Sequence, residues 1–185
     1  KNIVLWPRTQ RYFKRNSWAG KIKNDSGYWI LDSVANNATA HYIHNMFFVL
    51  GDSLKSSAWP KTIQANIYRA NDIENYDTCV SRIITQNDVE ILYYASHSTE
   101  TKCEPLLDFQ FEKGEIYADF NKEKCIYGKV DGKIISYGNP FDVEMKKVFD
   151  CIRTIKGDDV NYCPIDAAIP QLKTINAISQ YYDIN

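Results

Sequence analysis

The sequence predicts an α+β fold: an open antiparallel sheet of about six strands with helices packed on one face. Three observations carry this expectation. Between residues 61 and 137 apolar and polar residues alternate in short runs, the period of half-buried strands. An apolar helix precedes that region, and helical periodicity returns after it. The connections between the runs are short turns, which join antiparallel neighbours; a parallel pair needs a crossover of about a dozen residues or more.

In chain order, Ile3–Trp6 reads as a buried strand ended by Pro7. The segment from Arg8 to Lys23 follows, with cations at Arg8, Arg11, Lys14, Arg15, Lys21 and Lys23 and no acid before Asp25. It reads either as a solvated face or as a surface turned to an anionic group, such as a phosphate or carboxylate, with Tyr12, Phe13 and Trp18 as stacking partners. Asn24–Gly27 is a turn, and Tyr28–Leu31 a short strand.

The chain is organised around the stretch from Asp32 to Gly51. Asp32 or Ser33 is suited to cap a helix and Gly51 to close it, and no Pro or Gly interrupts it. Val34, Ala38, Ile43, Met46, Phe47, Phe48, Val49 and Leu50 make it apolar on nearly every side, so most of it should be buried. Its first turns nevertheless carry Asn36, Asn37, Thr39, His41, His44 and Asn45. Buried polar groups need partners. On a continuous helix Asn37 and His41 would share one face, one turn apart. One end of this helix is therefore expected to border a pocket.

The strands follow. Ile63, Ala65 and Ile67 mark one face of 61–70; Cys79–Thr85 is rich in β-branched residues; Val89, Ile91, Tyr93 and Ala95 mark one face of the next. Further strands cover 106–111, 115–120, 124–130 and 133–137, the last two joined by the two-residue hairpin signal Asp131-Gly132. Phe141, Met145, Val148, Phe149, Ile152 and Ile155 then share one helical face, closed by Gly157. A last helix follows Pro164 with Ile165, Ala168, Ile169, Leu172 and Ile175 as its stripe, and Pro170 fits its first turn.

A chain of 185 residues supports one well-cored domain over 1–185. A net charge of −1 and a pI near 6.3 give no reason to expect nucleic acid or a membrane surface. No apolar run approaches the roughly 20 residues that span a bilayer, and Lys1 leads into a strand-like run, not a signal peptide. The five cysteines are widely spaced and odd in number, with no Cys-x-x-Cys pair, which points to free thiols in a reduced, cytoplasmic setting. The chain lacks an initial Met and begins in a strand, as a fragment of a longer protein or a tag-cleaved chain would.

Residues able to carry chemistry are few. His41-x-x-His44 could be a metal pair, but no third ligand sits at matching spacing and zinc needs three or four, so two hydrogen-bonded pocket or core histidines are the better reading. His97 ends a tyrosine-rich strand and reads as a sheet-end residue. Neither a Gly-rich phosphate loop nor a Gly-x-Ser-x-Gly elbow is present. The polar loop Asn71–Thr78 either binds something or caps its own turns.

Taken together, Arg11-Tyr12-Phe13, Trp18-Ala19-Gly20, the stretch from Asp32 to Gly51, Tyr68-Arg69-Ala70-Asn71 and Ile73–Thr78 resemble, in order and spacing, the C-terminal domain of the Gfo/Idh/MocA family of oxidoreductases. The resemblance spans nearly the whole chain. It implies the C-terminal domain fold typified by glyceraldehyde-3-phosphate dehydrogenase, a pocket for a small carbohydrate-type substrate, and homo-oligomer contacts through the sheet. It also implies NAD or NADP held by a separate N-terminal Rossmann domain. That domain is absent here, as is its usual Glu-Lys-Pro motif, so this chain alone should bind no cofactor and be inactive. By this resemblance His41 is the proton-transfer residue, with Asn37, His44, Arg11, Trp18 and Tyr68 lining the substrate site. Two positions depart from the family pattern: Asn37 stands where members commonly carry Asp, and His44 where many carry another Asp. The alternative is a non-catalytic sugar-binding or oligomerisation module that reuses the fold.

Overall fold

The computed structural model describes residues 1–142, 145–158 and 162–185. Eight strands form one sheet: β1 (Asn2–Leu5), β2 (Pro60–Tyr68), β3 (Thr78–Thr85), β4 (Glu90–Ser96), β5 (Cys103–Phe111), β6 (Gly114–Asp119), β7 (Ile126–Val130) and β8 (Lys133–Gly138). Their order is β2-β3-β4-β1-β5-β6-β7-β8. Every pairing is antiparallel except β1 with β4, which run parallel with Asn2 opposite Tyr93 and Leu5 opposite Ser96. The sheet is thus larger than the six or so strands expected. The first strand inserts between the two antiparallel groups, β2–β4 and β5–β8, and joins them.

The helices are α1 (Gln10–Phe13), α2 (Ala40–Val49), α3 (Lys146–Ile155) and α4 (Ile169–Tyr181). α2 and α4 cover one face of β1–β4. Ile43, Met46 and Phe47 of α2 and Ile175 and Ile178 of α4 meet Val4, Ala65, Ile67, Cys79, Ile83, Ile91, Tyr93 and Ala95 from the strands. Of the period-2 faces read from the sequence, Ala65 and Ile67 on β2 and Ile91, Tyr93 and Ala95 on β4 are buried, while Ile63 is half-buried and Val89, just before β4, is exposed. Asp131 and Gly132 both take positive φ, 50° and 77°, at the β7–β8 turn, the backbone twist that a two-residue hairpin requires. Pro170 sits in the first turn of α4, where its missing N–H has no helical partner to lose.

Three expectations need correction. The stretch from Asp32 to Gly51 is not one helix. Ser33 Oγ caps a short 3₁₀ turn at Val34–Asn36 by accepting from the Asn36 N–H at 3.2 Å, the chain breaks at Asn37, and α2 starts at Ala40. The buried Thr39 hydroxyl bonds back to the Val34 carbonyl and to the Tyr93 hydroxyl. Short polar side chains here compete for the backbone groups that a helix would use. Tyr28–Leu31 is not a strand: it forms one isolated bridge, Lys23 to Trp29, and then turns at Leu31 with φ 52°. Finally, the helix read from Phe141 is α3, whose apolar stripe is not buried. Phe149 is 59% exposed and Ile155 85% exposed. Residues 143–144 of that stretch lie outside the described residues.

Candidate functional site

Because β1 and β4 are parallel, both finish at the same end of the sheet, and the chain beyond each continues the pairing. The Trp6 N–H donates to the Ser96 carbonyl and the Arg8 N–H to the His97 carbonyl, each at 2.9 Å; the His97 N–H donates to the Asp77 carbonyl at 2.8 Å. Tyr68, the last residue of β2, lies opposite Thr78 at this end. The chain from Arg8 to Ser33 then folds over that end and leads to the start of α2.

Two constellations result. The first is built on Asp32, which is buried. Its Oδ2 accepts the Gly20 N–H at 2.6 Å and its Oδ1 accepts the Asn37 side-chain amide at 2.7 Å. The Gly20 carbonyl accepts the N–H groups of Glu74 and Asn75, at 3.1 and 2.9 Å. One carboxylate therefore ties the basic segment, the polar loop and the entry to α2 together. Gly20 is required: its φ is +72°, and a Cβ there would lie 2.7 Å from Ile73 Cγ2. The loop Asn71–Thr78 caps its own turn, since Asp77 Oδ2 accepts the N–H groups of Ala70 and Asn71 and the Asn71 amide.

The second is a cation–aromatic cluster. The Arg8 and Arg15 guanidinium carbons lie 4.7 and 3.7 Å from the centre of the Tyr12 ring. Arg8 also approaches Trp6 at 5.8 Å, and Arg15 approaches Trp18 at 5.1 Å. Trp6 packs edge-on to Tyr42 of α2 and donates its indole N–H to Glu104 Oε2 at 2.9 Å. Asn16 Oδ1 accepts the N–H groups of Trp18 and Ala19, which fixes the turn presenting Trp18. His97 is buried beneath the cluster, with Nδ1 2.8 Å from the Trp6 carbonyl oxygen and its ring 6.1 Å from Tyr12. Burial pulls its pKa down to about 4; the bond to Trp6 opposes this, and Arg8 and Arg15 add to it.

His41 is exposed in the first turn of α2, and the break at Asn37 has uncoupled the two: the Asn37 amide bonds Asp32, not His41. His44 lies further along α2, with Nε2 3.2 Å from Cys163 Sγ and its ring 5.9 Å from that of Phe48. Burial and the neighbouring His41 lower its pKa. Trp18 belongs to the cation–aromatic cluster. Arg11 is exposed on α1, whereas Arg8 and Arg15 hold the aromatic rings. Phe13 is not a stacking partner but a core residue, 7% exposed. Sequence reasoning found the basic segment with Arg8 and Arg15 in it but singled out Arg11, and it gave no part in the site to Asp32, read as a helix cap, or to His97, read as a sheet-end residue. The five cysteines are free, and among the described residues no group of three or more His, Cys, Asp or Glu side chains is placed to hold a metal. A cleft of about 250 Å³ lined by Met46, Leu50, Glu90 and Phe109 lies at the opposite end of α2 from His41.

No family model matches the sequence, and no curated protein matches it. Solved structures do match. The UDP-N-acetylglucosamine 3-dehydrogenase GnnA of Acidithiobacillus ferrooxidans aligns over 95% of this chain and 50% of its own, with a TM-score of 0.69 and 12% identity. The WlbA dehydrogenase of Bordetella pertussis, in complex with NADH and UDP-GlcNAcA, aligns over 97% of this chain and 51% of its own, with a TM-score of 0.68 and 19% identity. The fold is that of the C-terminal domain of Gfo/Idh/MocA-type oxidoreductases. It also occurs in the transcriptional regulator Gal80p of Kluyveromyces lactis, with a TM-score of 0.67 and 15% identity over 95% of this chain and 49% of that one. At these identities the likeness is one of fold, and the chain spans about half the length of each of these structures. Among the described residues no helix is long and apolar enough to cross a membrane.

Proposed function

We propose that this chain is the substrate-binding half of a nicotinamide-dependent oxidoreductase acting on a sugar, polyol or derivative. The observation that carries the reading is the alignment of nearly the entire chain with half of GnnA, a UDP-N-acetylglucosamine 3-dehydrogenase, and half of WlbA, solved with NADH and UDP-GlcNAcA bound. The dinucleotide itself does not fit the residues here. Among the described residues no parallel strand passes through a glycine-rich turn into a helix, the unit that cradles a pyrophosphate. NAD or NADP would be held by another domain, and this chain would supply the substrate side.

In that role His41 is the proton-transfer group, exposed at the end of α2 that faces the folded-over basic segment. Asn37, His44, Arg11, Trp18 and Tyr68 line the site, with Asp32 positioning Asn37. Self-association would use the sheet, where Phe111, Ile134, Ile135 and Tyr137 are exposed. The test is turnover by the product of the complete coding sequence, followed as nicotinamide reduction across sugars, polyols and UDP-sugars. His41→Ala should lower kcat by about a hundredfold or more. A protein that binds nicotinamide yet turns over nothing in that panel would refute the reading.

One observation favours the second reading, a non-catalytic module. His41 has an amide, not a carboxylate, at the position four residues before it, and that amide is committed to Asp32. A Gal80p-like regulatory use of the same fold is compatible with this. Reading the coding sequence upstream of Lys1 separates the two: a Gly-rich βαβ unit ending in Glu-Lys-Pro supports the enzyme, and its absence the module.

A further inference from the structure

We infer that Arg8 and Arg15, clamped on Tyr12 beside Trp18, form the anion subsite of a nucleoside-diphosphate sugar. This deepens the proposed function, from which it takes only the sugar portion. Three features of the cluster point to an anionic ligand.

The first is uncompensated charge. Among the ion pairs of the described residues neither Arg8 nor Arg15 takes part. The nearby acids are committed elsewhere: Glu104 pairs with Lys102 and accepts from Trp6, and Asp77 accepts from Ala70, Asn71 and Thr78. The second is desolvation without a partner. Arg8 Nε is buried and makes no hydrogen bond, and a buried guanidinium N–H left unpaired is unfavourable until an acceptor arrives. The third is rigidity. The Arg15 Nη1 group donates to the Tyr12 carbonyl at 2.8 Å, both guanidinium planes are held by aromatic rings, and the Arg8 backbone is bonded to β4 through His97. Little side-chain entropy remains to be lost on binding.

Two guanidinium groups held on one ring suit a ligand with two linked phosphates, because each fork can donate to oxygens of a different phosphoryl group. Trp18, 41% exposed beside Arg15, offers an apolar face to a base or sugar ring. A neutral sugar would leave both cations unanswered. A nicotinamide dinucleotide also carries a diphosphate, so the ligand source must be tested directly.

The test is calorimetric titration of the 185-residue chain with UDP, UDP-N-acetylglucosamine, inorganic pyrophosphate, NADH and free N-acetylglucosamine, at two salt concentrations. UDP and its sugar should bind with an affinity that falls as salt rises, and free N-acetylglucosamine should bind at least tenfold more weakly. Arg15→Gln and Arg8→Gln should each weaken UDP binding about tenfold or more. Lys14→Gln removes the same charge one residue away and should change it less than twofold. Arg8 packs on Trp6 and Tyr12, so its variant is read only alongside an unchanged melting temperature; Arg15 is exposed and serves as the second variant. Equal UDP affinity in both arginine variants overturns the inference, as does an arginine-dependent site that takes NADH and rejects UDP. Failure of turnover in the complete protein with UDP binding intact refutes the oxidoreductase reading alone. Turnover of neutral sugars without UDP binding refutes this inference alone.

Discussion

Replacing Asp32 by Ala removes the acceptor that ties the basic segment to the entry of α2. The carboxylate is buried and accepts two hydrogen bonds, from the Gly20 N–H at 2.6 Å and the Asn37 amide at 2.7 Å. Bonds to a charged acceptor contribute roughly 1.5–3 kcal/mol each, and the Gly20 N–H would be left buried without a partner. A loss of about 3–5 kcal/mol is expected, a large fraction of the roughly 5–15 kcal/mol that holds a domain together. Asp32→Asn should be much milder, about 1–2 kcal/mol. Its oxygen can still accept from Gly20, and the Asn37 amide can rotate to present its own oxygen to the new NH₂ group. Urea unfolding of Asp32→Ala, Asn37→Ala and the double variant measures the loss and isolates the Asp32–Asn37 coupling, expected at about 1–2 kcal/mol. Hydrogen exchange at Gly20 adds a local readout, since that amide should lose its protection first. A loss below about 0.5 kcal/mol for Asp32→Ala, the usual range for an unremarkable surface change, would refute the claim that this carboxylate ties these segments together.

Two further perturbations test the same region. Gly20→Ala should destabilise by about 1 kcal/mol from its positive φ alone, and by more because the new Cβ meets Ile73; an Ile73→Ala background should return part of that loss in the same unfolding assay. Stability should also rise with pH between about 4 and 6.5, because His97, at about 4 in the fold, takes a proton in the unfolded chain first. The contribution is fully present above 6.5, is lost as pH falls towards 4, and amounts to at most about 3 kcal/mol. His97→Gln should flatten this part of the pH dependence; a variant with the wild-type slope would remove His97 as its source.

The sheet and its buried face were legible because alternation at Ala65, Ile67, Ile91, Tyr93 and Ala95 is a local consequence of the pleat, and Asp131-Gly132 names its own turn. The break at Asn37 was less legible. Helical spacing places Asn37 and His41 on one face, and only the competing bonds of Ser33 and Thr39 to nearby backbone override it. The basic segment was recognisable as a charge run, but its chemistry was assigned to Arg11, whereas the structure gathers Arg8 and Arg15. Arg8, Tyr12 and Arg15 stand at i, i+4 and i+7, the spacing of one helical face, but only the single turn of α1 realises it, and no stretch here is long or periodic enough to read as a helix from the chain alone.

What the sequence determined by itself is therefore the alternation in the strands, the existence of helices near α2 and α4, and the turns set by Gly and Pro. These depend on neighbours a few residues away, whereas burial does not follow from period alone: Phe149 and Ile155 of α3 and Leu172 of α4 stay exposed. What the tertiary structure alone decided is which distant groups meet. The parallel pairing of β1 with β4 brings Arg8 to His97, and Asp32 reaches back to Gly20 while Gly20 holds Asn75. Such contacts depend on loop closure and on the demand of each buried polar atom for a partner, and neither leaves a periodic trace in the chain.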